Sequence, residues 1–196
     1  MAAAGKVCIG FSKPYVAKYT KGTEGISYSS GQLLARGVSV TASPETSDDN
    51  NFYADNIIAE SEAGTFTGGT LNLTVDGLLQ NAEKLIMGLP AADSSTGLMA
   101  YGDDMAIPDV GIGFIIMYQS DGEISYKPVI FPRAAFDLIE ENANTKEETK
   151  DWQTQELTAT IKRAEDANRN WKYVGGEVSS ESTAEATIKT FFGINS

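Results

Sequence analysis

The sequence contains no histidine and only one cysteine in 196 residues. Without histidine, the chain lacks the usual imidazole general base, the Ser-His and Cys-His pairs of nucleophilic catalysis and the commonest metal ligand. One cysteine cannot form a disulfide within the chain, and Cys8, between apolar neighbours in "KVCIGF", is predicted to be a small buried apolar residue. We therefore expect no enzyme, no cofactor, and no catalytic or metal-binding residues.

Long apolar runs and basic residues are also scarce. No stretch approaches the roughly 18 apolar residues of a membrane span, and "MAAAGK" is not followed by the apolar segment of a signal peptide. We expect a protein made in a cytoplasm, with no membrane partner. The 15 Lys and Arg face 27 Asp and Glu, a net charge of −12. Sequence-independent phosphate binding needs clustered Lys and Arg residues, so DNA is not an expected binding partner.

The remaining composition is that of one folded domain. Hydrophobic residues make up 41% of the chain, which together with its length predicts a single folded domain over residues 1–196. We expect residues 1–8 to be a mobile segment. Four lysines and one acid fall in the first 24 residues, on a chain that is otherwise acidic. This uneven charge suits head-to-tail association of copies.

Alternation of apolar and polar residues predicts a mostly β fold. "GGTLNLTVDGL" and "QELTATIK" each have one apolar face, and Val38 and Val40 repeat the pattern earlier in the chain. "VGIGFIIMYQSDGEISYKPVIF" predicts two strands about the turn at Asp121 and Gly122, and "WKYVGGEV" is predicted to pair with "QELTATIK". Together these segments predict an antiparallel β-sandwich or open barrel of roughly seven or eight strands.

One or two helices are expected beside the strands. "LLQNAEKLIMGLP" has the apolar spacing of an amphipathic helix that ends at Gly88 and Pro90. The C-terminal "SSESTAEATIKTFFGIN" suits a helix or, because of its Thr, Ile and Phe content, a strand. Trp152 and Trp171 lie in strand patterns and are predicted to be core residues. Residues 140–151, "EENANTKEETKD", predict an extended charged loop, which in a compact domain is usually functional or disordered.

The stretch "SDDNNFYADN" combines acids, amides and two aromatic residues. It lacks the glycine and the terminal glutamate of an EF-hand loop, and the adjacent acids Asp48 and Asp49 diverge too much to act on one atom. A solvated turn explains the Asp and Asn residues. It does not explain Phe52 and Tyr53, because aromatic residues ringed by polar groups are typical of protein interfaces. We interpret 48–56 as a polar loop that leads into a strand and lies at a subunit boundary.

Four segments in order resemble the major tail protein family of long-tailed phages and prophages of Gram-positive bacteria. They are "IGFSKPYVAKY", "LARGVSVTASPETSDDNNFYADN", "FTGGTLNLTVDGL" and "VGIGFIIMYQSDGEISYKPVIFPRAAF". The resemblance runs from about Ile9 to the strands near Tyr173. It implies a tail-tube subunit: a twisted β-sandwich flanked by a helix, six copies of which form a ring. The rings stack into a hollow tube around a tape-measure protein, between a tail tip and a terminator, and the tube conducts DNA during ejection.

The resemblance assigns roles to three sets of residues. It implies assembly in the host bacterial cytoplasm and a final location in the virion tail. The expected subunit interface comprises Asp48, Asp49, Asn50, Asn51, Phe52, Tyr53, Asp55 and Asn56. An arm between rings is expected to use Glu140, Glu141, Lys146, Glu147, Glu148 and Lys150, and the basic N-terminal segment is its hypothetical partner. The lumen wall is expected to include Thr154, Glu156 and Thr158. The alternative interpretation of this polar face is that it is simply exposed to solvent. The alternative function is a host-receptor or carbohydrate-binding β-sandwich module of a phage.

Overall fold

The computed structural model describes residues 5–23, 25–145 and 152–194. Ten strands and two helices occur in this part of the chain. In order they are β1 (Val7–Gly22), β2 (Gly25–Leu33), β3 (Gly37–Thr46), β4 (Asn50–Ala54), β5 (Ile57–Glu62), β6 (Phe66–Val75), α1 (Gln80–Met87), β7 (Val110–Ser120), β8 (Glu123–Phe136), β9 (Gln155–Lys162), β10 (Tyr173–Val174) and α2 (Glu181–Phe192). The mostly β fold with flanking helices, predicted from the sequence, is confirmed.

The main sheet is antiparallel, and its strand order is β2-β1-β7-β8-β9-β6-β3, with β10 also paired to β8. β4 and β5 form a separate two-stranded sheet. Although β1 and β3 are far apart in this order, they meet at Gly37, where a Cβ atom would lie 2.1 Å from the Phe11 ring. The main sheet therefore folds back on itself into two packed layers, in agreement with the predicted sandwich or open barrel.

The larger apolar core lies between these layers and includes Leu71, Leu73, Phe114, Phe131 and α1 residues. A smaller core forms where α2 covers the outer face of β1, β7 and β8, through Ile188 and other buried residues. β7 and β8 are thus buried on both faces, which explains the nearly continuous apolar run in their sequence. β6 and β9 are buried on one face only and keep a strict alternation.

Local signals placed several elements correctly. The turn at Asp121 and Gly122 joins β7 to β8, and both residues have positive φ angles (51° and 86°), as a two-residue hairpin turn requires. α1 ends at Gly88 in the left-handed conformation, whose N–H caps the Lys84 carbonyl. Glycine takes this conformation without steric cost, so the predicted end of the helix is confirmed.

The tertiary structure overturned two expectations about the strands and decided between the two alternatives left open for the C-terminal segment. Residues 173–174 pair with β8 and not with β9, because Tyr173 lies opposite Ile130. Val38 is exposed at a bulge, where the register between β3 and β6 shifts, so it does not share the inner face with Val40. The C-terminal segment is the helix α2 and not a strand, because its apolar residues Ala184, Ile188 and Phe192 cover the sheet at helical spacing.

The burial of three single residues also differs from the prediction. Cys8 is exposed and not buried, because it lies near the start of β1, outside both cores. Trp152 is 83% exposed and lies before β9, so the prediction that it belongs to the core is wrong. Trp171 is half-buried outside the strands and stacks on Phe66 with ring centroids 4.4 Å apart, at the margin of the larger core.

Candidate functional site

The β4–β5 hairpin stands apart from the main sheet. Its turn consists of Asp55 and Asn56, both with positive φ (51° and 64°), which Asp and Asn tolerate better than other non-glycine residues. At its base, the Gly64 N–H donates a hydrogen bond to Asp49 Oδ1 at 2.9 Å. The backbone N–H of Ser47 and the carbonyl of Thr65 bond at 2.9 Å. The hairpin is therefore anchored where it leaves β3 and enters β6.

Large apolar side chains of the hairpin face solvent. Phe52, Tyr53, Ile57 and Ile58 are each between 53% and 67% exposed, and Tyr53 lies opposite Ile58 across the two strands. An isolated two-stranded hairpin is marginally stable in water, and a contiguous exposed apolar patch usually marks an interaction site. The arrangement is suited to being covered by another protein surface.

The predicted interface residues all lie in or beside this hairpin. Asp48 and Asp49 precede β4, Asn50–Tyr53 belong to it, and Asp55 with Asn56 forms the turn. The expectation of a polar loop was wrong, because β4 is already a strand. Sequence reasoning missed Ile57 and Ile58, although "FYADNIIA" carries the signal: β-prone apolar residues flank an Asp-Asn pair.

A second surface is the outer face of β3, β6 and β9, which we call the bare face. Its side chains stand in three cross-strand rows of almost entirely uncharged polar residues. Two hydrogen bonds tie neighbouring strands, from Ser39 Oγ to Thr74 Oγ1 at 2.9 Å and from Thr158 Oγ1 to Asn72 Oδ1 at 3.1 Å. The rows are Ser39, Thr74 and Glu156; Thr41, Asn72 and Thr158; and Ser43, Thr70 and Thr160.

The predicted lumen residues fall on or next to this surface. Glu156 and Thr158 are exposed on β9, while Thr154 lies just before the strand begins. Within the nine positions of the bare face, Glu156 is the only ionisable side chain. The predicted alternation of β9 is confirmed, since Leu157, Ala159 and Ile161 are buried and the residues between them are exposed.

The predicted inter-ring arm is only partly described. Glu140 and Glu141 are exposed after β8, whereas Lys146, Glu147, Glu148 and Lys150 lie outside the described residues. Residues 1–4 of the predicted mobile segment lie outside them as well, and Val7 and Cys8 begin β1.

The N-terminal lysines have partners within the chain. Lys6 pairs with Glu177, Lys13 with Glu185 and Lys21 with Glu165. Burial alone would raise the pKa of Glu185, but hydrogen bonds from Lys13, Tyr15 and Lys189 outweigh it and hold the pKa at about 2. This cluster fixes α2 to β1. Three of the four lysines are therefore engaged in the fold, which weakens the hypothesis that this segment binds the charged arm.

The described residues hold no group of three or more His, Cys, Asp or Glu side chains placed to bind a metal ion. Nor does α1 or α2, the two helices of the described chain, have the length and apolar content needed to cross a membrane. No family model matches the chain, and no curated protein matches its sequence. The surfaces described above are therefore the basis for assigning a function.

Proposed function

We propose that this chain is a structural virion protein, the tail-tube subunit of a long-tailed phage, whose hexameric rings stack into a hollow tube. The observation that carries the proposal is the β4–β5 hairpin, with four exposed large apolar side chains and no cover from the described part of its own chain. A subunit that exists mainly in an assembly keeps such a surface for its neighbour. We assign the hairpin, with Phe52 and Tyr53 as anchors, to the boundary between subunits.

The edges of the main sheet support self-assembly. β2 and β3 end the strand order, and each pairs with only one strand among the described residues. Natural edge strands are usually protected by Pro or by charged residues such as Lys, because an open edge can pair with another chain. β2 contains no charged residue, and β3 has only Pro44 and Glu45 near its end. Pairing of β2 with β3 of the next copy would repeat around a ring and close both edges.

The bare face suits a surface along which DNA moves. Hydroxyl and amide groups keep it wetted, and it offers no lysine or arginine among its nine positions. Phosphate is held mainly by such cations, so a wall without them would not retain DNA. We assign the bare face, including Glu156 and Thr158, to the lumen. The tape-measure protein would occupy the lumen during assembly, and tail-tip and terminator proteins would contact the two ends of the tube.

Electron microscopy of the purified protein tests this function. The expected result is six-fold rings or regular tubes in negative-stain images, with length that grows with protein concentration. The double variant Phe52→Ala, Tyr53→Ala should remain folded and lose most tube formation, because the exposed aromatic anchors are removed.

A matched variant separates this contact from general surface hydrophobicity. Leu98→Ala, Ile124→Ala removes two exposed apolar side chains elsewhere on the chain and should form tubes of normal length. Monomers of the unmodified protein at all concentrations would contradict the proposed function. Full-length tubes from the Phe52, Tyr53 variant would show that assembly occurs but does not use the hairpin.

One observation favours the alternative, a host-receptor or carbohydrate-binding module. Trp152 is 83% exposed, and exposed aromatic rings commonly stack against sugars in binding sites. Glycan binding by the monomer that disappears in Trp152→Ala, with no rings or tubes, would favour this alternative. The hairpin and the open sheet edges support the tail-tube function instead, because neither is needed by a solitary binding module.

A further inference from the structure

Two clefts of opposite charge lie at the two ends of β9. The cleft at its C-terminal end, here called the basic cleft, is lined by five basic and two acidic side chains. The cleft at its N-terminal end, here called the acidic cleft, is lined by six acidic side chains and, among the described residues, by no basic one. The strand between them spans about 23 Å, given a rise of roughly 3.3 Å per residue. The net charge of −12 conceals this separation.

Part of the basic cleft is neutralised by its own chain. Arg133 Nε and Lys162 Nζ donate to Asp109 at 2.6 and 2.8 Å. Burial would raise the pKa of Asp109, but the bonds from Lys162 and Arg133 outweigh it and lower the pKa, so these pairs stay charged. Glu165 accepts a further bond from Arg133 at 2.7 Å. These contacts hold the floor of the cleft in place.

Two arginines of the basic cleft remain without an acidic partner. Within the described residues, neither Arg163 nor Arg169 lies within ion-pair distance of a carboxylate. Arg163 lies over the Phe66 ring, with 5.7 Å from its guanidinium carbon to the ring centroid, which holds its position at the cleft wall. Arg169 is exposed, and its φ angle is positive (52°). Within the described part of the chain, these two guanidinium groups are therefore available to bind carboxylates.

The acidic cleft has a complementary surplus of unpaired carboxylates among the described residues. Of its six acids, Asp76 is paired with Arg36 and Glu83 accepts a hydrogen bond from Tyr101 at 2.6 Å. The other four, Asp137, Glu140, Glu141 and Glu156, form no ion pair with another described residue. Like charges gathered in one place repel each other, so a cationic partner would stabilise this cleft.

We propose that the basic cleft of one copy binds the acidic end of a second copy, with Arg163 and Arg169 contacting Glu140 and Glu141. The contact is head-to-tail, because the two clefts lie at opposite ends of one strand and each copy keeps one of each free. A head-to-tail contact that does not close on itself produces a filament. This inference rests on the proposed function in one respect, that the partner is a second copy of this chain. In a tube, the contact would be the axial one between stacked copies.

Charge reversal on each side tests the contact. Arg163→Glu, Arg169→Glu and, separately, Glu140→Lys, Glu141→Lys should each raise the protein concentration needed for association by about tenfold or more, since like charges then meet. Mixing the two variants should restore association, because every contact again joins opposite charges. Sedimentation velocity of each variant and of the equimolar mixture measures this directly, whether or not tubes form.

The controls address folding and charge in general. Lys127→Glu makes a comparable reversal about 20 Å along β8 from Arg133 and should leave association unchanged. Arg163 packs on Phe66, so replacing it could disturb the fold. Arg169→Glu alone is therefore the second variant, and it should raise the protein concentration needed for association at least threefold. Far-ultraviolet circular dichroism should be identical for all folded variants. Raising the salt concentration from about 0.05 to about 1 M should weaken association of the unmodified protein, because screening shortens the Debye length.

Each outcome decides the proposal. Unchanged association of both folded reversal variants would overturn it, as would a mixture that fails to recover. If the mixture forms only two-chain particles, the contact is a closed, two-fold one, and the proposed head-to-tail contact is wrong. Reversal variants that still form tubes of normal length would overturn the cleft contact while leaving the proposed function intact. Recovery in the mixture without tubes from the unmodified protein would support the contact and contradict the tail-tube function.

Discussion

The two halves of the main sheet have opposite outer surfaces. The outer face of β1, β7 and β8 is covered by α2, and two glycines of β7 allow the close contact: Gly111 and Gly113 lie directly under Phe192 and Ile188. The outer face of β3, β6 and β9 carries hydroxyl and amide groups and is left bare by the described chain. One sheet thus uses one half to build a second core and keeps the other half as a polar surface.

The largest loss of stability is expected from creating a cavity in the smaller core beneath α2. Ile188→Ala removes a fully buried side chain of the smaller core and should destabilise the protein by about 2–4 kcal/mol, since the cavity fills only partly. Thr158→Ala on the bare face is the matched change and should cost less than about 0.5 kcal/mol. Urea unfolding measures both. Equal losses would contradict the division of the sheet into a structural half and a surface half.

A smaller loss is expected from adding volume beneath α2. A Cβ atom at Gly111 would lie 2.4 Å from the Phe192 ring, closer than atoms can approach, so Gly111→Ala requires the helix to shift. We expect about 1–3 kcal/mol of destabilisation by overpacking. Gly176→Ala, where no atom lies within 4 Å of the added group, is the control and should be nearly neutral. Thermal unfolding of both variants tests whether contact with α2 makes Gly111 necessary.

The ion cluster that joins α2 to β1 should make the covered half sensitive to acid. The pKa of Glu185 in the folded protein is about 2, below the ordinary value of 4.5, so its contribution is complete above about pH 4.5 and disappears as the pH falls towards 2. Glu185→Gln should destabilise by about 1–2 kcal/mol at pH 7. The difference from the unmodified protein should narrow at pH 3. Calorimetry at both pH values would contradict this if the difference stayed constant.

The bare face should accept charge with the least effect on stability. Thr158→Lys should change the free energy of unfolding by no more than about 0.5 kcal/mol, because the position is exposed. If the bare face lines the lumen, tubes of this variant should retain short DNA at low salt and release it at high salt. Thr187→Lys on the exposed side of α2 is the control. Equal DNA retention by both variants would show that the bare face has no special access to the lumen.

Prediction from the sequence succeeded where a pattern depends on neighbouring residues. Alternation placed the buried side chains of β9, glycine placed the end of α1, and the Asp-Gly pair placed the β7–β8 turn. It failed where distant strands decide the outcome. The partner of β10 and the bulge at Val38 depend on how distant strands pair, and no local pattern records that.

The candidate site was predicted in part for the same reason. Phe52 and Tyr53 were singled out because aromatic residues in a polar stretch are unusual, but the hairpin that exposes them with Ile57 and Ile58 was not recognised. The threonine face of β9 was evident from alternation, whereas its continuation across β6 and β3 required the strand register. Glu140 and Glu141 were predicted to belong to a charged arm, whereas the gathering of acidic and basic side chains at opposite ends of β9 was evident only in the structure.

By itself, the sequence determined the mostly β fold, the alternation that gives each strand its inner and outer face, and the lack of histidine that argues against imidazole catalysis. These properties follow from residue type and local spacing, which the chain carries in any conformation. Only the tertiary structure decided which outer face is covered by α2, which apolar side chains remain exposed on the hairpin, and where opposite charges gather. Those features arise when residues far apart in the sequence meet, and strand order, register and helix packing determine which ones do.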